Sequence, residues 1–381
     1  MEQQSSKGII DIKSIMSIMK EIKEDFAQYM ILVFICIIVL FMLYYLITLS
    51  RMSGVECDKM NTLYGKMNSY LRSINENDDK CTGNLADYYI KTAYNCCSGG
   101  NFKNDFVNLC NLKAVLNQGV RGLDMEIYSI NDEPVISTST FKDNYYVKET
   151  YNSVKFTDFM NILVNYAFSN STAPNPDDPI ILHLRIMSSN QNMYTKLASI
   201  LEYYDNYLLG SKYSYENNGN NLGSTRLLDL KRKIVIIVDK SNISYLDNRA
   251  FLEYVNMTSN SMFMRALRNY DVEYTPDLNE LTNYNKSNMT IALPDLGPKA
   301  TNPNSVMARA AGCQMVAMCY QQVDNMLEDN MLFFDNCGYA FCLKPKDLRG
   351  FPATIENPVP QKESYSYAPR TLSSKLYNFK I

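Results

Sequence analysis

One stretch of the chain shows no alternation of apolar and polar positions. From Met30 to Leu49 it reads MILVFICIIVLFMLYYLITL, without a charged residue. At 1.5 Å rise per residue, a helix of about 20 residues matches the ~30 Å hydrocarbon core of a bilayer. The pattern predicts one transmembrane helix over residues 30–49, with Tyr29, Tyr44 and Tyr45 as interface anchors in a chain that lacks Trp. A buried core helix fits less well, because such helices rarely stay apolar on every face over this length. A cleaved signal peptide fits worse still: the run starts 29 residues in and no small-x-small site precedes Arg51. Residues 1–29 read as a short polar, helix-permissive segment, and residues 50–84 as a helical stalk broken by the Asn/Asp-rich stretch Asn75–Asp79.

Beyond the stalk the texture changes. Short β-like runs at Gly122–Ile127, Pro134–Ser137, Ile180–Ile186, Lys233–Val238, Met315–Met318 and Ala340–Leu343 alternate with helical stretches over residues 85–350. Strand followed by helix, repeated, predicts a parallel α/β sheet, and a length of about 265 residues suits a single closed (β/α) TIM-type barrel. The polar stretch Gly219–Gly223 reads as a flexible loop inside it. Residues 351–381, with Pro352, Pro358, Pro360 and Pro369, read as an extended tail or partner-docking strap.

Composition narrows the chemistry. A formal charge of -3 from 37 basic and 40 acidic residues offers no electrostatic reason to bind nucleic acid. A single histidine, His183, excludes mechanisms that need two imidazoles from one copy of the chain. No Cys-x-x-Cys pair has a second pair or a His partner, so zinc is not expected. Lys7, Lys13, Lys20 and Lys23 before the span against Arg51, Lys59 and Lys66 after it favour a cytoplasmic N-terminus by four to three. Glycosylation acceptors begin at Asn170, Asn242, Asn256, Asn285 and Asn288, about as many as chance gives in a chain this rich in Asn. The bias toward Asn, Tyr, Ile, Lys and Met suggests an AT-rich genome, such as that of a protist or of a large DNA virus infecting one.

Several ordered stretches carry more. Ile90–Cys97 reads IKTAYNCC, Gly119–Tyr128 reads GVRGLDMEIY and is followed by EPVIST, and Pro179–Arg185 reads PIILHLR. Gly312–Ala317 reads GCQMVA and Asn336–Arg349 reads NCGYAFCLKPKDLR. In this order they resemble the catalytic barrel of the eukaryotic phosphoinositide-specific phospholipases C, with INSSHNTY, GCRCVELDCW, EPVITHG, PVILSFE and NCGYVLKP in the corresponding places. The resemblance covers roughly 70% of the chain, with an X-like half at about 85–245 and a Y-like half at about 250–350.

That resemblance implies a calcium-assisted phosphodiesterase working with two histidines, but the positions have changed. The first histidine falls on Tyr94 and the second on Thr138; neither replaces an imidazole as a proton shuttle at neutral pH. Three of the family's calcium ligands have equivalents in Asn95, Asp124 and Glu126. The fourth, a carboxylate, becomes Arg185. Strand alternation puts Arg185 on the face of Ile181 and His183, toward the interior, where a guanidinium would pair with Asp124 and Glu126 and supply the positive charge otherwise brought by the ion. The head-group motif GTRVDSSNY aligns with Asp295–Pro303, DLGPKATNP, which puts Gly297 and Pro303 in place of its arginine and tyrosine and leaves Lys299 as a solvated loop residue. His183 is expected to be a hydrogen-bonded core residue, and Cys96 and Cys97 lack an imidazole to activate them.

The expectation is therefore a membrane-anchored barrel with no catalytic residues, its calcium lost, acting as a structural or interaction protein in a viral or host membrane or virion. Its partners are the bilayer through residues 30–49 and proteins through the barrel surface or tail. The alternatives are an active diester hydrolase with rearranged residues and a non-cleaving phosphoinositide-binding module.

Overall fold

A computed structural model describes residues 12–350, 362, 365 and 367–381. The apolar run lies inside one unbroken helix, α1, Ile12–Tyr64. Every side chain from Phe26 to Thr48 is exposed, so this is not a core helix. The segment before the run from Ile12, the run itself and the first part of the expected stalk are thus a single element. Its polar C-terminal portion does not stand free. Met60 and Tyr64 are buried in the main core, and the Tyr64 hydroxyl donates to the Tyr320 carbonyl at 2.8 Å. The polar residues before Ile12 lie outside the described residues.

Eight parallel strands follow: β1 Tyr88–Ala93, β2 Gly122–Ile130, β3 Ile180–Ile186, β4 Ile234–Asp239, β5 Met257–Ser259, β6 Met264–Arg268, β7 Met289–Leu293 and β8 Met315–Met318. They pair in the order β6-β7-β8-β1-β2-β3-β4-β5, a nearly closed barrel whose one unpaired seam, among the described residues, lies between β5 and β6. Two runs that read as strands point the other way. Glu133–Ser137 folds back antiparallel on β2, and Phe341–Leu343 runs antiparallel to β1. Strand direction is invisible to a period of two, so these could not be told from barrel strands by pattern.

Alternation sets the two faces of each strand. In β3, Ile180, Leu182, Leu184 and Ile186 join the outer core under the helices, while Ile181 joins the inner cluster with Val235, Ile237, Met289 and Met315. Burial on both faces explains why these strands are nearly continuous apolar runs. The helices α2 Leu109–Asn117, α3 Phe156–Ala167 and α4 Gln191–Tyr203 turn their apolar faces onto that outer layer. At a hydrophobic stabilisation of about 25 cal/mol per Å² buried, this two-sided apolar burial is the main favourable term holding the barrel.

The quoted motifs have local physical causes. Gly122 sits opposite Thr92, and a Cβ there would come within 2.3 Å of the Thr92 hydroxyl oxygen, so β1 and β2 approach only with glycine at that position. Gln314 of GCQMVA is buried and donates from one amide nitrogen to the carbonyls of Ala86, Asn285 and Asn288, while its oxygen accepts from the Thr290 amide. Gly338 of NCGY closes helix Asn325–Cys337 in the left-handed conformation, φ 81°.

Two disulfides staple this frame. Cys57–Cys110 joins α1 to α2, and Cys337–Cys342 joins a helix end to the antiparallel strand beside β1. The stretch Gly219–Gly223 is held at one end by buried Leu222 and Gly223. Of the glycosylation acceptors, Asn256 and Asn285 are buried and hydrogen-bonded through their amides, which leaves no room for a glycan. The tail forms a separate unit from Gly350, in which Thr371–Ser373 and Asn378–Lys380 pair as an antiparallel hairpin. Pro352, Pro358 and Pro360 lie outside the described residues.

Candidate functional site

Asn95 just past β1, Asp124 and Glu126 in β2, and His183 and Arg185 in β3 meet at the level where β1 finishes, the end of a barrel where the strand-to-helix loops open. Register explains the meeting: Asp124 lies opposite His183 and Glu126 opposite Arg185 in neighbouring strands. All five are buried.

Arg185 sits at the centre. Its Nε donates to Asp124 Oδ1 at 3.0 Å and its Nη2 to Asp124 Oδ2 at 2.8 Å, a two-pronged grip on one carboxylate. Nη1 donates to Glu126 Oε1 at 2.7 Å, and Nη2 also reaches Asn95 Oδ1 at 2.9 Å. The guanidinium lies 4.7 Å from the centroid of the Tyr94 ring. The other Glu126 oxygen accepts from the Tyr128 hydroxyl at 2.7 Å. Burial by itself would raise the Asp124 carboxyl and lower the Arg185 guanidinium. Their mutual attraction reverses both, leaving Asp124 well below the usual carboxylate range and Arg185 above its ordinary value.

The histidine has two firm partners. Its Nδ1 lies 2.7 Å from Asp124 Oδ1, and its Nε2 lies 2.8 Å from Ser259 Oγ at the end of β5. A carboxylate only accepts, so Nδ1 carries a proton, and in the neutral ring Nε2 accepts from the serine hydroxyl. Carboxylate, imidazole and hydroxyl stand in the order of a nucleophile-activating relay. Both His183 and Ser259 are fully enclosed, so in this arrangement the hydroxyl has no path to a substrate.

Tyr94 is buried, packed edge-on against Phe102 with centroids 5.5 Å apart. Burial raises its phenol above the ordinary value, further from use as a base. Thr138 is buried, its hydroxyl 3.5 Å from the Phe102 carbonyl. Cys96 and Cys97 are buried, and desolvation pushes the Cys96 thiol well above its usual range, so it is no thiolate nucleophile. Lys299 is exposed on its loop, apart from the cluster.

A cavity of about 320 Å³ opens above the cluster, bounded by Tyr128, Tyr146, Arg185, Asp239, Asn242 and Arg268. Its second cation, Arg268, donates to the Pro294 carbonyl at 2.9 Å and approaches the Tyr146 hydroxyl at 3.5 Å. Neither Arg268 nor Tyr146 stands out in sequence, being 122 positions apart. Ser259 was equally silent, in a three-residue strand that shows no periodicity.

Two sequence families match this frame. The phosphatidylinositol-specific phospholipase C X domain matches residues 81–240, and the Y domain of the same enzymes matches residues 238–347. The chain belongs to the phosphatidylinositol-specific phospholipase C family. Its fold is similar to the crystal structure of S. officinalis PLC21, with a TM-score of 0.57 at 20% identity over 72% of this chain. It is likewise similar to L. pealei PLC21, with a TM-score of 0.56 at 21% identity over 71% of this chain. This phospholipase C-family chain spans 38% of the length of either of them, and at these identities the likeness shows the shared barrel fold. No curated protein matches it in sequence. The X-domain match takes in β1 to β4 and the whole buried cluster except Ser259, and the Y-domain match takes in β5 to β8.

Proposed function

We propose that this phospholipase C-family barrel is membrane-anchored and catalytically inert, and serves as a structural or interaction protein. The observation that carries the proposal is the seat of Arg185. Its guanidinium engages both Asp124 oxygens, one oxygen of Glu126 and the side-chain oxygen of Asn95, the groups that the family resemblance assigns to calcium. With those oxygens already facing a fixed cation, the donor set does not fit a divalent ion. Where the family resemblance calls for two imidazoles the chain has a buried phenol and a buried hydroxyl, Tyr94 and Thr138. Loss of a single general acid or base costs roughly 10²- to 10⁴-fold in rate.

Anchoring rests on α1. A helix apolar on all sides and exposed along the whole run Phe26–Thr48 is unstable in water and stable in lipid. The two disulfides support an oxidising compartment for the barrel, and hence a cytoplasmic N-terminus.

A second reading, a working diester hydrolase with rearranged groups, draws on the His183–Asp124–Ser259 relay and requires the enclosed Ser259 hydroxyl to become accessible. Release of head group from phosphatidylinositol vesicles by the full chain separates the two. The inert barrel gives no turnover above buffer with or without calcium. Turnover that disappears in Asp124→Asn or His183→Ala would establish the second reading and end the first.

A further inference from the structure

The fold treats the five Asn-x-Ser/Thr triplets of the chain very differently. Asn256 and Asn285 are buried with their amides engaged. The Asn242 amide nitrogen donates to the carbonyls of Ile186 at 2.8 Å and Ser188 at 2.9 Å, closing the loop after β3. Asn288 is half-buried; its side-chain oxygen accepts from Asn221 at 3.2 Å and its carbonyl from buried Gln314 at 2.7 Å. A sugar on Asn242, Asn256 or Asn285 would displace a contact of the fold, and Asn288 offers it only a half-buried start.

Asn170, in the triplet Asn170-Ser171-Thr172, is different. It is exposed, and its side chain makes no hydrogen bond among the described residues. The turn that carries it is nevertheless firm. Thr172 Oγ1 donates to the Tyr166 carbonyl at 2.7 Å, and the Ser169 and Ser171 hydroxyls meet at 2.9 Å. Buried Arg121 donates to the Ala167 carbonyl at 3.0 Å and to Asn175 Oδ1 at 2.8 Å, pinning the chain on both sides of the turn. Helix α3 leads from the mouth side back to the start of β3, so the turn lies at the base of the barrel, opposite the buried cluster. A bulky polar group attached there removes no contact and stands in water.

We propose that Asn170 is a modification site, the single position at which the folded chain carries an N-linked glycan. This rests on the reading of the barrel as lying in an oxidising compartment, with a lipid pyrophosphate-linked oligosaccharide as the donor. In the transfer, Asn170 Nδ2 attacks the anomeric carbon of the oligosaccharide. The bond from that carbon to the lipid pyrophosphate breaks, and the amide gives up one proton as the pyrophosphate leaves. The glycan keeps the base of the barrel facing water and leaves its mouth uncovered.

The test uses the full chain, synthesised in the presence of microsomal membranes. Folded material is selected by resistance to limited proteolysis. Glycans are then removed with a peptide N-glycosidase, which turns the carrying Asn into Asp and lets peptide masses map the site. Three chains are compared: wild type, Asn170→Gln, and Asn170→Gln combined with Asn220→Thr, which completes an Asn-Gly-Thr triplet from Asn218 in an exposed loop. The expected result is one glycan on wild type at position 170, none on Asn170→Gln, and one on the double variant. Wild type unmodified while the double variant is modified overturns the proposal and leaves the placement of the barrel standing. A glycan mapped to Asn242, Asn256, Asn285 or Asn288 of folded wild type overturns the claim of a single site. Absence from all three chains refutes the placement of the barrel, and the proposal with it.

Discussion

Arg185→Glu tests the electrostatics of the cluster most severely, because it restores a carboxylate where the family resemblance expects one. Wild-type Arg185 is fully buried and makes four hydrogen bonds, three of them to carboxylates. Removing one partner of a buried ion pair costs about 3–5 kcal/mol. The substitution also adds a third negative group, and two like charges 4 Å apart repel by about 4 kcal/mol at an effective dielectric constant of 20. In chelator, the variant should therefore lose at least about 3–5 kcal/mol, a melting point lower by roughly 6–20 °C for a domain of this size. Asn95, Asp124, Glu126 and the new carboxylate then form an oxygen cage for a divalent ion. Calcium at 100 to 1,000 times its dissociation constant would return about 2.7–4.1 kcal/mol. Thermal melts of the full chain in detergent, with chelator, calcium or magnesium, read both effects. Wild type should melt at one temperature in all three, and Arg185→Lys, which keeps charge without the forked geometry, should fall between. An Arg185→Glu variant as stable as wild type in chelator, or an equal calcium shift in wild type, would refute the reasoning.

Two further outcomes follow from other parts of the structure. Lys344 is buried, and desolvation lowers its amine to about 7 while its Nζ donates to the Asn285 carbonyl at 2.9 Å. Its folded value lies below its unfolded one, so wild-type stability should rise with pH from about 7 toward 10; Lys344→Met should add about 1–3 kcal/mol at pH 6 and progressively less above pH 7, as read by denaturant melts. Thiol labelling of the denatured, unreduced chain followed by intact mass should count six free thiols among ten cysteines, with Cys57, Cys110, Cys337 and Cys342 unlabelled; ten labelled thiols would place the barrel on a reducing side.

How much of this the chain betrays in advance depends on range. The inward aim of Arg185 is legible because PIILHLR is one strand, and a period of two puts residues 181, 183 and 185 on one face. The apolar run is legible because its signal is contiguous. The docking of the last turns of α1 on the barrel is not, since it depends on Met60 and Tyr64 packing in its core and on a disulfide across 53 residues. Strands β5 and β6 escaped because three and five residues broken by Asn260 and Ser261 leave no periodic trace. Ser259 as a partner of His183, and Arg268 with Tyr146 over the cavity, arise only when distant strands and a hairpin converge. The positions that pattern finds are those whose chemistry is settled within one strand.

Calcium titration of the chelator-washed full chain is the most direct measurement of whether a guanidinium holds the seat of an ion. By isothermal calorimetry in detergent, wild type should show no saturable binding up to millimolar calcium. A one-site micromolar isotherm that is lost in Asp124→Asn would contradict it.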